Sequence, residues 1–270
     1  MKIGATAWYS KILPLEDSLA WLSRLGYEGV EIPGFVEEID GERRRYLKKL
    51  LKELNLELVS VSAGIPFSRN GERLNLHSSN DEIRRASVQY VRDCIDLVVS
   101  MDGHLVYVAS VVKGNNSEQK DYEFFSESLD KCADYAYSNS VQVALEPFPF
   151  GAIPSAKIAQ ELISKLNRSN VGLLLDTGHL ALSHESFSIS PFMIRKLVMH
   201  VHFNNNNYLQ DKHWKPTFGN IVKKDFEIFV KSLKEGGYDK YVSIELLNVE
   251  NVESELNESK QFLSEILSSV

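Results

Sequence analysis

The sequence predicts an α/β protein of the (β/α)₈ TIM-barrel type, and three observations carry that prediction. Short aliphatic and β-branched runs alternate with longer stretches of helical periodicity from end to end. A strand–helix unit recurs about every 30 residues, so successive strands must be joined by parallel crossovers. Eight such units fill 270 residues, the size of a closed barrel. An open doubly wound sheet fits less well, because no G-x-G-x-x-G follows the first strand and polar residues end the strands right along the chain. No linker or low-complexity boundary divides the sequence, so residues 1–270 read as a single domain.

In order, the expected strands are Ile3–Trp8, Gly29–Ile32, Leu56–Ser62, Leu105–Ser110, Val141–Glu146, Val171–Asp176, Val198–Phe203 and Val242–Leu246. After the first strand, Leu15–Leu25 sets Leu15, Leu19, Leu22 and Leu25 close to helical period. After the second, Arg43–Leu54 does the same with Tyr46, Leu47, Leu50, Leu51 and Leu54. Further helices are expected at Glu82–Val99, Tyr122–Tyr137, Ser155–Leu166, Lys224–Leu233 and Val252–Leu267. The polar stretches Gly64–Asn80 and Asn204–Asn220 follow strands and belong at the mouth of the barrel, where strands end. A short polar loop accounts for the run Asn204–Asn207.

Lys plus Arg number 30 against 37 Asp plus Glu, a net charge of −7. That balance argues against general electrostatic attraction to nucleic acid, and no nucleic-acid partner is expected. The two cysteines, Cys94 and Cys132, fall in expected helices and read as small buried apolar side chains rather than a disulfide framework. No segment approaches the roughly 20 apolar residues that span a membrane. Met1–Trp8 reads as the opening of the first strand rather than a secretory signal. The expectation is a cytoplasmic protein with no membrane partner.

Side chains alternate along a strand. Val141, Val143 and Leu145 suit the helix-facing side of the fifth strand, so Gln142, Ala144 and Glu146 face the barrel axis. The same parity turns Asp176 inward on the sixth strand, His200 and His202 on the seventh, and Ser243 and Glu245 on the eighth. Four consecutive strands thus end in an inward Glu146, Asp176, His202 and Glu245. Three carboxylates converging on one point repel one another unless something neutralises them, and a divalent cation does so. One imidazole with three carboxylates is an oxygen-rich set. It suits Mn²⁺ first, then Mg²⁺ or Co²⁺, with Zn²⁺ and Fe²⁺ also open.

The segments L-E-P at Leu145–Pro147, L-D-T-G-H at Leu175–His179 and H-V-H-F-N at His200–Asn204 resemble the xylose-isomerase-like TIM-barrel superfamily. So do D-x-H at Asp211–His213, G-N-I at Gly219–Ile221, G-G-Y-D-K-Y-V-S-I-E at Gly236–Glu245 and G-Y-E-G-V-E at Gly26–Glu31. That superfamily contains sugar isomerases and epimerases, inosose dehydratases and endonuclease IV of AP endonuclease family 2. The resemblance implies that Glu146, Asp176, His202 and Glu245 hold one divalent metal ion. It implies chemistry on a hydroxy-carbonyl sugar through a metal-stabilised enediolate, with Glu146 and Glu245 as the acid/base pair. His179, His213, Trp8, Glu31 and Asn204 are the candidates for contacts with substrate, His213 also for orienting Glu245 and Glu31 also for pairing inside the barrel. His179 is expected in the loop leaving the sixth strand, and Asp211, a weaker candidate, falls with His213 in the long seventh loop. The resemblance also implies a homo-dimer or homo-tetramer.

The pattern departs from two branches. Endonuclease IV carries extra histidines after strands two to four, whereas strand three here ends Val61-Ser62-Ala63 and strand four ends Ala109-Ser110. Ketose 3-epimerases typically carry a second Glu after the strand-five ligand and an Arg after the strand-seven histidine. Here Ala152 and Asn205–Tyr208 occupy those stretches, which leaves the sugar open. Without clustered Lys or Arg at the mouth a neutral sugar is expected, with Arg69, Lys113 and Lys212 as the cations that leave a phosphorylated one open. The alternatives are an inosose-type dehydratase on the same metal site, an endonuclease IV-like nuclease and a binding barrel without turnover.

Overall fold

The elements of the computed structural model run β1 (Lys2–Thr6), α1 (Leu15–Arg24), β2 (Gly29–Pro33), α2 (Gly41–Glu53), β3 (Glu57–Ser62), α3 (Asp81–Ser100), β4 (Leu105–Ala109), α4 (Glu118–Ser138), β5 (Gln142–Glu146), α5 (Ala156–Leu166), β6 (Val171–Asp176), α6 (Thr177–Leu182), α7 (Pro191–Leu197), β7 (Val198–Phe203), α8 (Lys223–Glu235), β8 (Tyr241–Ile244) and α9 (Val252–Ser269). The structure describes residues 1–9, 13–35, 41–64, 74–110, 117–247 and 249–270. The strands form a closed parallel barrel in chain order. Arg69, Lys113 and most of the Gly64–Asn80 stretch lie outside the described residues. Among the described residues no helix is long and apolar enough to cross a membrane.

All eight expected strands form, with ends displaced by at most two residues. Two helices are additional. α6 starts where β6 stops, and α7 has seven residues, so neither offers a window long enough for a helical period to show. Both start on side-chain caps: Asp176 accepts from the backbone N–H of His179 and Ser190 from that of Met193. His179 therefore stands in a helix rather than in a loop, and Trp8 lies in a turn beyond the end of β1.

Contacts divide the chain into two compact units, the first comprising Met1–Ile32, Leu47–Val59 and Leu175–Val270. Here β1 pairs with β2 through Gly4–Gly29, Ala5–Val30 and Thr6–Glu31, and with β8 from Lys2–Tyr241 to Ala5–Ile244. β8 pairs with β7 through Val201–Val242, His202–Ser243 and Phe203–Ile244. The outward parity of Phe203 is visible in its packing on Phe226 of α8, with ring centroids 4.5 Å apart; Phe226 in turn meets Phe262 of α9. Burying aromatics of this size contributes a few kcal/mol each, of the order of 25 cal/mol per Å². Tyr27 donates to the Leu256 carbonyl at 2.8 Å and Lys260 to that of Leu25, tying α9 to the segment before β2.

The second unit comprises Pro33–Tyr46 and Ser60–Leu174. β4 pairs with β3, and with β5 from Leu105–Gln142 to Ala109–Glu146; β5 pairs with β6 through Val143–Val171 to Leu145–Leu173. α3 buries Val88, Val91, Ile95 and Val98 on one face, the spacing of an amphipathic helix. Cys94 and Cys132 are free and fully buried, and burial pushes the Cys132 thiol up to about 12. Asn170 donates to the Ala133 and Val141 carbonyls, and Arg168 pairs with Asp130 at 2.8 Å and Asp134 at 2.5 Å.

Candidate metal centre

In the first unit the ends of β6, β7 and β8 bring three predicted ligands together. Asp176 is the last residue of β6 and the N-cap of α6. Its Oδ1 accepts from the His179 backbone N–H at 2.8 Å and its Oδ2 from Asn204 Nδ2 at 2.5 Å. Two N–H donors and a helix N-terminus therefore orient the carboxylate. His202 stands on β7 with Nδ1 2.8 Å from Glu245 Oε2 and 4.0 Å from Asp176 Oδ2. Glu245 follows β8 directly, its backbone N–H donating to the Phe203 carbonyl. The donor atoms of Asp176, His202 and Glu245 all lie within 4.8 Å of one another, and all three residues are buried.

The charges are coupled. Burial pushes the Glu245 carboxyl upward, but the facing imidazoles of His202 and His213 outweigh it and hold the group well below the usual carboxylate range. Burial likewise opposes ionisation of Glu31, and His200 and His202 reverse the balance. Glu31 is wholly buried, with Oε1 2.7 Å from His200 Nε2 and Oε2 3.2 Å from His202 Nε2. The pairing inside the barrel expected of Glu31 is present.

A second constellation adjoins the first. His213 Nδ1 lies 3.3 Å from Glu245 Oε2, and its Nε2 lies 2.9 Å from Asp211 Oδ1. Asp211 also faces His179 Nε2 at 3.4 Å. Burial disfavours charge on His213, yet Glu245 and Asp211 on either side raise its pKa above the ordinary range. Asp211, more weakly argued from sequence, is thus the bridge between the two histidines. Trp8 is half-buried in its turn. Glu146 ends β5 in the second unit, 5% exposed.

The asparagine run is not a simple polar loop. Asn204, Asn205 and Asn206 are buried. Asn204 exchanges hydrogen bonds with Thr177, its N–H donating to Oγ1 at 3.0 Å and its carbonyl accepting from that hydroxyl at 2.7 Å. Asn205 Nδ2 donates to the Pro216 and Ile221 carbonyls, while its Oδ1 accepts from the Asn206 and Ile221 N–H groups. Gly219, at φ +145°, passes so close that any side chain there would strike Asn205 Oδ1. Asn206 Nδ2 donates to the Gly178 carbonyl at 2.7 Å. These amides replace the sheet hydrogen bonds that the chain loses on leaving β7, which is why polar residues are inside. Asn205→Ala strands four buried backbone partners. It is expected to cost about 2–4 kcal/mol, read as a lower midpoint in urea unfolding with an unchanged slope.

Among known proteins, the model for the family described as xylose isomerase-like TIM barrel matches residues 19–266. The uncharacterized protein MJ1311 of Methanocaldococcus jannaschii is 29% identical over 239 residues, covering 83% of this chain and 74% of that one. Fructoselysine 3-epimerase of Shigella flexneri is 19% identical over 258 residues, covering 92% and 91%. The crystal structure of a D-psicose 3-epimerase in the presence of D-fructose superposes with a TM-score of 0.83 at 16% identity, covering 100% of both chains.

Proposed function

The chain belongs to the xylose isomerase-like TIM barrel family, and from that premise and the geometry above we propose that it is a divalent-metal-dependent sugar epimerase or isomerase. The observation that carries this reading is the convergence of Asp176, His202 and Glu245, three buried groups with donor atoms within 4.8 Å. Among the described residues Glu245 Oε2 is buried with no hydrogen-bond donor assigned to it, yet it faces the His202 nitrogen at 2.8 Å. A cation between such atoms offsets the desolvation of the carboxylates. Glu146, buried at the end of β5, is proposed as the fourth ligand. Two or three carboxylates with one imidazole suit Mn²⁺, Mg²⁺ or Co²⁺ before a thiolate-seeking metal.

A bound dication supplies Lewis-acid polarisation of a substrate carbonyl and its neighbouring hydroxyl. The protein's own groups move the proton. One of Glu146 and Glu245 takes it from the carbon beside the carbonyl, and the other returns a proton to the opposite face. Configuration inverts and composition is unchanged. His213, held between Asp211 and Glu245, orients the Glu245 carboxylate. The 3-epimerases among the similar proteins support a ketose or ketose-derived substrate.

The test is a panel of ketoses and inososes followed by NMR in D₂O, with each metal added to chelator-treated protein. Metal-dependent loss of one substrate C–H signal is expected, with product mass changed only by deuterium. Loss of 18 daltons (water) points to dehydration instead, and no exchange with any sugar at any metal sinks the reading. Gly178→Ala supplies a sharper check, because its Cβ would collide with Asn204 Oδ1 and press within 3.1 Å of Asp176 Oδ1. Metal affinity is expected to fall about tenfold or more, measured by calorimetric titration.

One observation favours a second reading. His179, Asp211 and His213 also offer donor atoms within 4.8 Å of one another, a set suited to a second dication. Several metals per chain, together with nicking of abasic DNA, would select a nuclease; the net charge of −7 weighs against it.

A further inference from the structure

We propose that Glu31 is a positioning residue: its two carboxylate oxygens take the Nε2–H groups of His202 and His200, leaving His202 Nδ1 as the atom that meets the metal. The inference rests on the metal-centre reading above and adds a residue to it.

Glu31 lies on β2, paired in register with Thr6 of β1, and is 0% exposed. His200 and His202 are two apart on β7 and so project to the same side. Their rings stand nearly perpendicular, 88° apart in plane with centroids separated by 5.2 Å. Each presents Nε2 to Glu31, at 2.7 Å from Oε1 for His200 and 3.2 Å from Oε2 for His202. An ionised carboxylate only accepts hydrogen bonds, so both rings must carry hydrogen at Nε2. The far nitrogen of His202, Nδ1, is the one that faces Glu245 and Asp176. A histidine ligand whose second nitrogen donates to a carboxylate is held in one tautomer and one orientation, and its basicity toward a metal rises. His200 completes the device by occupying the other oxygen and stopping the carboxylate from rotating.

Glutamine at position 31 keeps the shape but offers one acceptor and one donor. One ring must then accept at Nε2: if it is His202, its hydrogen moves to Nδ1, the atom the metal needs, and if it is His200, His202 keeps its tautomer but donates to a neutral amide that raises its basicity less. The experiment uses protein labelled with ¹⁵N-histidine, observed by long-range ¹H–¹⁵N spectra without metal and with Zn²⁺, which is diamagnetic. Calorimetric titration of Zn²⁺ into wild type and Glu31→Gln runs beside it, with thermal melting to confirm folding. The expected result is zinc on His202 Nδ1 with hydrogen on Nε2 of both histidines, and a 10–100-fold weaker affinity in Glu31→Gln. The wild-type spectra decide the matter even where the variant folds poorly. Coordination through His202 Nε2, zinc seated among Glu31, His200 and His202, or wild-type affinity in Glu31→Gln overturns the proposal. A wild type that binds no zinc overturns the metal reading itself and the proposal with it.

Discussion

Glu245→Gln is expected to lower metal-dependent exchange of a substrate C–H by roughly 10²–10⁴-fold, the range for loss of a positioned acid or base. The side chain keeps its size but loses the charge that His202 and His213 both face, at 2.8 and 3.3 Å. Single-turnover measurement in D₂O at saturating metal separates loss of the proton carrier from loss of the ion. Residual metal content by elemental analysis gives the second quantity directly. Exchange at the wild-type rate in a metal-loaded Glu245→Gln protein would remove Glu245 from the chemistry and leave Glu146 as the sole carrier.

His202→Gln is expected to empty the centre. The amide N–H₂ can still donate toward the Glu31 oxygen that His202 occupied while His200 keeps the other, so the variant avoids the roughly 3–5 kcal/mol that a stranded buried charge typically costs. What it cannot reproduce is an imidazole nitrogen between Asp176 and Glu245. Metal affinity is expected to fall more than about 100-fold, beyond the usual effect of an outer-shell change. The measurement is stoichiometry after dialysis against one equivalent of Mn²⁺ or Zn²⁺. One ion per chain retained in the variant would move the site away from β7.

Much of the fold was legible because barrel strands are short apolar runs with polar ends. β6 and β7 match their expected bounds residue for residue. Parity gave the side-chain directions as well: His202 is turned toward Glu245, and Phe203 beside it packs on Phe226. Three things were not legible. α6 has no turn before it, since Asp176 closes the strand and caps the helix together. The link between Glu31 and His200 spans 169 residues, and an inward parity says nothing about which strand supplies the partner. The buried asparagines were hidden by their own composition, because side-chain amides that satisfy backbone groups look in sequence like solvated loop. His200 had the inward parity of His202 and was the available signal for the Glu31 pair.

The clamp around Asn205 has a consequence for how this protein can diversify. Its hydrogen bonds to Pro216 and Ile221, and the bridge to Trp214, anchor both stems of the excursion that leaves β7. Lys215 and Thr217 add a second fastening on Glu258 of α9, each at 2.5 Å. The tip between them closes on itself, with Asn207 Oδ1 accepting from the Leu209 and Gln210 N–H groups, and Leu209 is 77% exposed. Insertions or new sequences at residues 207–210 therefore spare the stems that hold His213. Evolution, or a library built at those four positions, is free to vary the tip while the stems and the candidate centre stay put.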